Sequence, residues 1–241
     1  MGVEGKLLKD GKTVSVLSNL LGRIVHDFNN PLAAIIGFAD LLRNPNLTLE
    51  KQSRYVERIY EQASKMAQLV ETMSSFSGGM TLAIGPVVLG SAMREACALL
   101  EPGLAGTRIE LRVEDESGGQ IVVAERRAIG RILHALLTNA EQVFRENPLL
   151  AERRIWVKCV TCEGGAYVDV ADSGKGVAPD LAESIFEPFF STRRSGGLGL
   201  GLAIGRTLAV QMGGSLELLK EHDNPGGGAC FRLFLPSVQE Q

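Results

Sequence analysis

Residues 20–42 read LLGRIVHDFNNPLAAIIGFADLL, an apolar run into which HDFNNP, residues 26–31, inserts a histidine, an acid, two asparagines and a proline. Leu21, Ile24, Phe28, Ile35, Phe38 and Leu42 recur at alternating steps of three and four, with Pro31 filling one step. That is the seam of a helix packed along another helix. Val25, Leu32 and Ala39 widen the seam into the broader face of a bundle. Ile24 and Phe28 take the seam, so His26 falls on the outward side at about 100° per residue. Asn30 lies one turn further along that same side. The polar cluster is therefore an accessible surface, and the rest of the chain has to say what it is for.

Working outward, RNPNLT (43–48) stops the first helix at Pro45, and Glu50 sits in the first turn of a second, where it favours the helix dipole. Val56, Ile59, Ala63, Met66, Val70 and Met73 again alternate threes and fours. Two helices joined by a short loop form an antiparallel hairpin. Apolar faces this wide need a second copy, and a homodimeric four-helix bundle is the simplest way to cover them. The helical pattern ends near Ser77-Gly78-Gly79, and Gly85-Pro86 follows, which sets a linker at 79–86 between a hairpin at 1–78 and a second domain at 87–241.

That second domain alternates helices with strand pairs. Helices are expected at 91–104, 127–146 and near 200–212, and strands at 107–115, 120–125, 154–174 (a hairpin), 215–219 and 229–236. The order predicts an α/β sandwich with helices on one face of a mixed sheet.

Composition excludes several classes. A net charge of −3 gives no basic excess for nucleic acid, and no run of about 18 apolar residues could span a bilayer. The first residues, MGVEGKLLKDGKTVSV, lack the apolar core of a signal peptide, so a cytoplasmic location is expected. Cys159 and Cys162 form a CxxC, but they fall in a strand where positions three apart face opposite ways, and no second pair completes a zinc set. With Cys97 and Cys230 they read as reduced thiols.

Three glycine- or asparagine-bearing stretches carry chemistry. DSGKG (172–176) begins with a carboxylate at the end of an apolar strand. GGLGLGLAIGR (196–206) places Gly197, Gly199 and Gly201 at alternate positions and runs into a helix, where backbone N–H groups and the helix dipole suit an anion. LLTNAEQVF (136–144) sets Asn139 in an apolar helix, and an amide oxygen is an acceptable Mg²⁺ donor.

HDFNNP, LLTNA, DSGKG, FEPFF and GLGLGLAI, in this order across about residues 14–236, resemble the core of the sensor histidine kinases. The resemblance implies a dimerisation and phosphoacceptor hairpin followed by a GHKL-type ATP-binding domain. It implies His26 as phosphoacceptor, Asp27 as adjacent base, and Asn30 as a residue that positions water for dephosphorylating a partner. Asn139 would hold Mg²⁺ against the ATP phosphates, and Asp172 would take the adenine amino group, with Gly174 and Gly176 shaping that wall. Phe186 to Phe190 would hinge a lid, Arg193 and Arg194 would neutralise charge from it, and Gly197, Gly199 and Gly201 would admit the phosphates. The implied function is ATP-dependent autophosphorylation and transfer to an aspartate of a response regulator receiver domain, with input from a separate sensor protein or from a longer chain. A dimeric docking protein that makes no use of ATP, or another GHKL ATPase, are the alternatives. Ala135 stands where family members often carry a further asparagine, Gln142 where a basic residue is frequent, and the lid between Phe190 and Gly197 is short.

Overall fold

The computed structural model describes residues 11–76, 82–104, 106–191, 199–220 and 227–238, with the backbone alone for 11–24, 26–27, 68 and 71–76. The chain divides into two compact units, Met1–Met80 and Thr81–Gln241.

The first unit is a pair of helices, α1 (Gly11–Leu42) and α2 (Leu49–Phe76). Between them, the Asn46 amide donates to Asn44 Oδ1 at 3.0 Å in an Asx turn, and Thr48 Oγ1 caps α2 by accepting from the Lys51 amide at 3.4 Å. Helix α1 runs on through Pro31, which is buried on the seam. Proline has no N–H, so the Asp27 carbonyl lacks its usual helical partner four residues on. Phe28, Ile35, Phe38 and Leu42 are only half-exposed, as their spacing predicts, and the Phe38 ring lies 5.7 Å from that of Tyr55.

Helix α2 departs from its expected seam. Its less exposed positions are Gln52, Tyr55, Ile59, Gln62, Ser64, Met66 and Leu69, whereas Val56, Ala63 and Val70 are exposed. The correction has a simple cause. An apolar pattern broad enough for two interfaces contains two heptad seams, and sequence alone does not say which of them faces the near helix. Here Ile59 and Met66 face it with Tyr55 and Leu69, and the 56–63–70 stripe points elsewhere.

The second unit contains β1 (Gly85–Val88), α3 (Leu89–Leu104), β2 (Glu110–Glu116), β3 (Ile121–Ala124), α4 (Arg126–Glu146), β4 (Arg154–Cys162), β5 (Gly165–Asp172), α5 (Gly201–Gln211), β6 (Ser215–Leu218) and β7 (Cys230–Pro236). Two short 3-10 turns, Pro179–Leu181 and Ser184–Phe186, lie between β5 and α5. The main sheet has the order β2-β4-β5-β7-β6, with β2 and β4 parallel and the other pairs antiparallel. A separate ladder pairs β1 with β3, so Gly85 and Pro86, at the end of the expected linker, already pair with Ala124 and Val123.

One sheet face is apolar. Ile155, Val157 and Cys159 of β4, Val168 and Val170 of β5, and Leu233 and Leu235 of β7 are buried, while Trp156, Lys158 and Tyr167 alternate with them at partial exposure. Against that face α4 turns Ile129, Ile132, Leu133, Leu136, Leu137, Ala140 and Phe144, all buried. Fully burying one such side chain contributes about 1.5–3 kcal/mol, so α4 is fixed in rotation and height by its inner stripe. On the opposite sheet face Arg232 donates twice to Asp169, both at 2.7 Å, with its guanidinium 3.7 Å from the Tyr167 ring centre.

Candidate nucleotide site and phosphoacceptor helix

Asp172 ends β5 and is 3% exposed. Its amide donates to the Ala229 carbonyl at 3.0 Å, and its Oδ1 accepts from the Gly174 amide at 2.7 Å and the Ala229 amide at 3.4 Å. A buried carboxylate is costly unless bonded, and here backbone amides of two segments orient it. Ser173 locks the next residue: its Oγ accepts from the Arg154 amide at 2.9 Å and donates to the Glu152 carbonyl at 3.1 Å.

Glycine is required around this turn for two different reasons. At Gly174 a Cβ would run into Val143 Cγ1 and Asp172 Oδ1, and at Gly228 it would run into Asp172 and the Gly174 amide. Gly176 instead needs its φ of +72°, a region that side chains other than glycine's disfavour. Gly228 and Val143 were missed by sequence reasoning. The signal for Gly228 is the glycine run 226–228 just before β7; Val143 looked like one more core residue of α4.

The same helix joins the glycine stretches. Ala135, Asn139 and Val143 are spaced by four, so they form one row along α4. Val143 abuts the Gly174 turn at one end. At the other, Ala135 lies beside Gly201, where an added Cβ would be 3.4 Å from the Ala135 Cβ. Half-buried Asn139 sits between them. The small side chain of Ala135 is thus what lets the head of α5 approach α4.

Gly201 opens α5, and Leu200 before it supplies no side-chain cap. The first-turn amides therefore carry the positive end of the helix dipole without a side-chain acceptor, a suitable setting for phosphate. Gly199 has φ +64°, and its carbonyl accepts from the Phe189 amide at 2.9 Å. Phe186, within FEPFF, is buried and meets Phe231 edge-on at 6.2 Å, with Arg206 stacked 4.8 Å from its ring centre. Phe190 is half-buried. The segment between these residues is therefore anchored at both ends: Phe186 in the core and Phe189 on Gly199. Arg193, Arg194 and Gly197 lie outside the described residues.

Among the described residues no three histidine, cysteine or acidic side chains converge as a metal site. Asn139 is the oxygen donor on the α4 row, and one neutral donor fits Mg²⁺ in the way that ion binds alongside nucleotide phosphates, keeping several waters. His26, Asp27 and Asn30 all belong to α1 of the helical unit, where Asn30 is exposed. His134 is exposed on α4, and His222 lies outside the described residues. No described helix is long and apolar enough to cross a membrane.

Comparison with known proteins agrees with both halves. Residues 16–78 match the His Kinase A (phospho-acceptor) domain, and residues 124–239 match the histidine kinase-, DNA gyrase B- and HSP90-like ATPase domain. The two-component sensor PprA of Pseudomonas aeruginosa is 30% identical over 236 residues, covering 95% of this chain and 25% of that protein. The chain thus spans about a quarter of PprA's length. The catalytic domain of histidine kinase ThkA is 26% identical, with a TM-score of 0.55 over 65% of this chain and 97% of that one. Full-length ShkA, solved in complex with AMPPNP, is also 26% identical, with a TM-score of 0.64 over 92% of this chain and 47% of that one. Matched in order by the helical domain and the ATPase domain, the chain belongs to the sensor histidine kinases and carries their catalytic core.

Proposed function

We propose that this core autophosphorylates His26 from ATP and then passes the phosphoryl group to an aspartate of a response regulator receiver domain. The observation that carries the reading is the α4 row, Ala135–Asn139–Val143, which ties the Asp172–Gly174 turn to the head of α5. In this reading residues 1–78 are the dimerising phosphoacceptor hairpin, the linker ends before Gly85, where β1 begins, and the ATP-binding domain follows.

Each residue then has a task its chemistry supports. The Asp172 carboxylate accepts from the adenine amino group while Gly174 and Gly176 leave room for the ring. The open amides at Gly199 and Gly201 receive phosphate oxygens, with Gly197 continuing the cradle and Phe190 anchoring the lid. Arg193 and Arg194 supply positive charge from the lid. Asn139 would hold Mg²⁺, which neutralises the charge that develops on the phosphates. A ring nitrogen of neutral His26 attacks the γ-phosphorus, ADP leaves, and Asp27 takes the proton from the other ring nitrogen. Asn30, one turn along, orients water against the phosphorylated regulator, giving the same helix face a phosphatase role.

The homodimer rests on the exposed stripes of the hairpin. Val25, Leu32 and Ile36 on α1 are 56%, 42% and 55% exposed, and Val56 and Val70 on α2 are 56% and 53% exposed. Their seven-residue spacings, 25 to 32 and 56 to 70 through Ala63, are those of a second seam, which a second hairpin would cover. Free thiols suit a reducing compartment, so the proposed location is the cytoplasm, with the stimulus arriving from a sensor elsewhere.

The deciding experiment incubates the protein with Mg²⁺ and γ-labelled ATP. The expected label is alkali-stable and acid-labile, absent in His26→Gln, and reduced about tenfold or more in Asn139→Ala and Asp172→Ala. Label that persists in His26→Gln would move the acceptor elsewhere. Nucleotide binding without any label would favour a docking protein or another ATPase of the fold.

A further inference from the structure

Away from the nucleotide-binding edge, an open cleft of 420 Å³ is lined by Gly106, Thr107, Arg108, Ile109, Arg145 and Arg153. It lies where the turn before β2 meets the C-terminal end of α4 and the approach to β4. Arg145 is six residues after Asn139 on α4, a rotation of about 240°, so it faces away from the Ala135–Asn139–Val143 row.

The three arginines are not equivalent. Arg145 is neutralised by Glu141, to which it donates from Nε at 3.0 Å and Nη2 at 2.7 Å. Arg153 is held by backbone alone: Nη1 donates to the Thr107 carbonyl at 3.2 Å and Nη2 to the Pro148 carbonyl at 2.5 Å. Carbonyls fix a guanidinium in place without cancelling its charge. Arg108 is exposed and has φ +60°, one of two described non-glycine residues with positive φ. Backbone strain of this kind costs stability and concentrates at functional positions. The acids nearest in sequence are already engaged: Glu110 with Arg112 and Arg154, and Glu152 with Arg154. Two guanidinium charges are thus presented at one small concavity, and among the described residues no carboxylate pairs with either.

We infer that the Arg108–Arg153 cleft is a second anion site, distinct from the nucleotide site, for a small phosphate-bearing ligand. Planar guanidinium groups match phosphate oxygens two at a time. The concavity falls within the volume range of small-molecule sites, which favours a small ligand over a flat protein contact. Arg153, fixed before binding, gives up little freedom on contact, and exposed Arg108 lines the same cleft.

The test uses the whole chain with Mg²⁺-ADP held in excess, so that the nucleotide site is saturated. Backbone and arginine side-chain NMR signals are followed while inorganic phosphate, and in parallel glycerol phosphate, is raised to about 20 mM, enough to reveal a Kd of a few mM. Saturable shifts at Thr107, Arg108, Ile109 and Arg153 are expected, and chloride at matched ionic strength should not produce them. Tighter binding of glycerol phosphate would identify an organic phosphate, and equal binding the free ion. Arg108→Gly and Arg108→Asn both tolerate the positive φ, so each should keep or raise Tm while weakening binding about tenfold. Unchanged binding in these variants, or shifts that chloride reproduces, would overturn the site. A response to an acidic peptide such as tetraglutamate, with none to either phosphate, would reject the small-ligand reading in favour of a protein contact.

Discussion

The Asp172 carboxylate accepts the Gly174 amide at 2.7 Å, and Gly174 in turn fits against Val143 of α4 with no room for a Cβ. The acid proposed to read adenine is therefore oriented by its own turn, and the turn by the helix that carries Asn139. In Asp172→Asn, Oδ1 still accepts from Gly174 but a donor replaces Oδ2. Nucleotide affinity should fall about tenfold to a hundredfold, while Tm should change by only a few degrees, since the turn survives. Calorimetric titration with ADP and thermal melting check the two halves.

Gly199 pairs with Phe189 through a backbone bond of 2.9 Å, has φ +64°, and would push a Cβ into the Phe190 backbone. Gly199→Ala meets both obstacles, and neither is a flexible side chain that could yield. A loss of about 2 kcal/mol or more is expected by urea denaturation, together with weaker nucleotide binding. Wild-type stability in that variant would mean that the contact of Gly199 with Phe189 and Phe190 contributes little to the fold.

Exposed Ile36 and Val56 make few demands on their own hairpin, being 55% and 56% exposed in it. Ile36→Asp and Val56→Asp should therefore leave helix content intact by circular dichroism and convert a dimer to a monomer in sedimentation. By contrast, Tyr55→Asp should unfold the hairpin itself, because Tyr55 packs on Phe38. Variants at 36 and 56 that remain dimeric would place the interface elsewhere.

Asp115 accepts from the Ser117 hydroxyl at 2.6 Å and the Ser117 amide at 3.0 Å, and pairs with Arg94. The Ser117 hydroxyl first, and Arg94 after it, hold this carboxyl below the usual aspartate range. A depressed folded pKa gives stability that is present above the unfolded value, near 3.9, and is lost as pH falls through the folded one. Asp115→Asn should cost about 1 kcal/mol at pH 7 after solvent screening, and the difference from wild type should shrink towards zero below about pH 3. Melting curves between those pH values test the sign.

Burial pushes the thiols of Cys97 and Cys159 up to about 11 and that of Cys230 up to about 12. Few thiolates form there at neutral pH, so alkylation should be slow in the folded protein. Half-exposed Cys162 should react first, and the other three only on unfolding, as mass spectrometry after an iodoacetamide pulse would show.

Apart from β1, the order of the helices and strands was legible in the linear pattern, as were the sandwich with helices on one sheet face and the motifs in their sequence. These follow from local causes: heptad spacing in α1, alternation in β4 and β5, and glycine at turns. Three features were not legible. The α2 pattern held two seams, and only packing against α1 chose Tyr55 and Leu69 for the near one, leaving Val56 and Val70 outside. Strand β1 was hidden in GPVV, because four residues with a proline carry no periodicity and gain a partner only from β3, far along the chain. Val143 and Gly228 join the site through contacts with Gly174 and Asp172 across 31 and 56 residues of sequence. Residue type and local spacing are one-dimensional properties, so the candidate residues for the proposed chemistry were legible along the chain. Tertiary structure decided which of them meet. Steric room at Gly174, Gly201 and Gly228 depends on distant segments, and close packing is satisfied only in three dimensions.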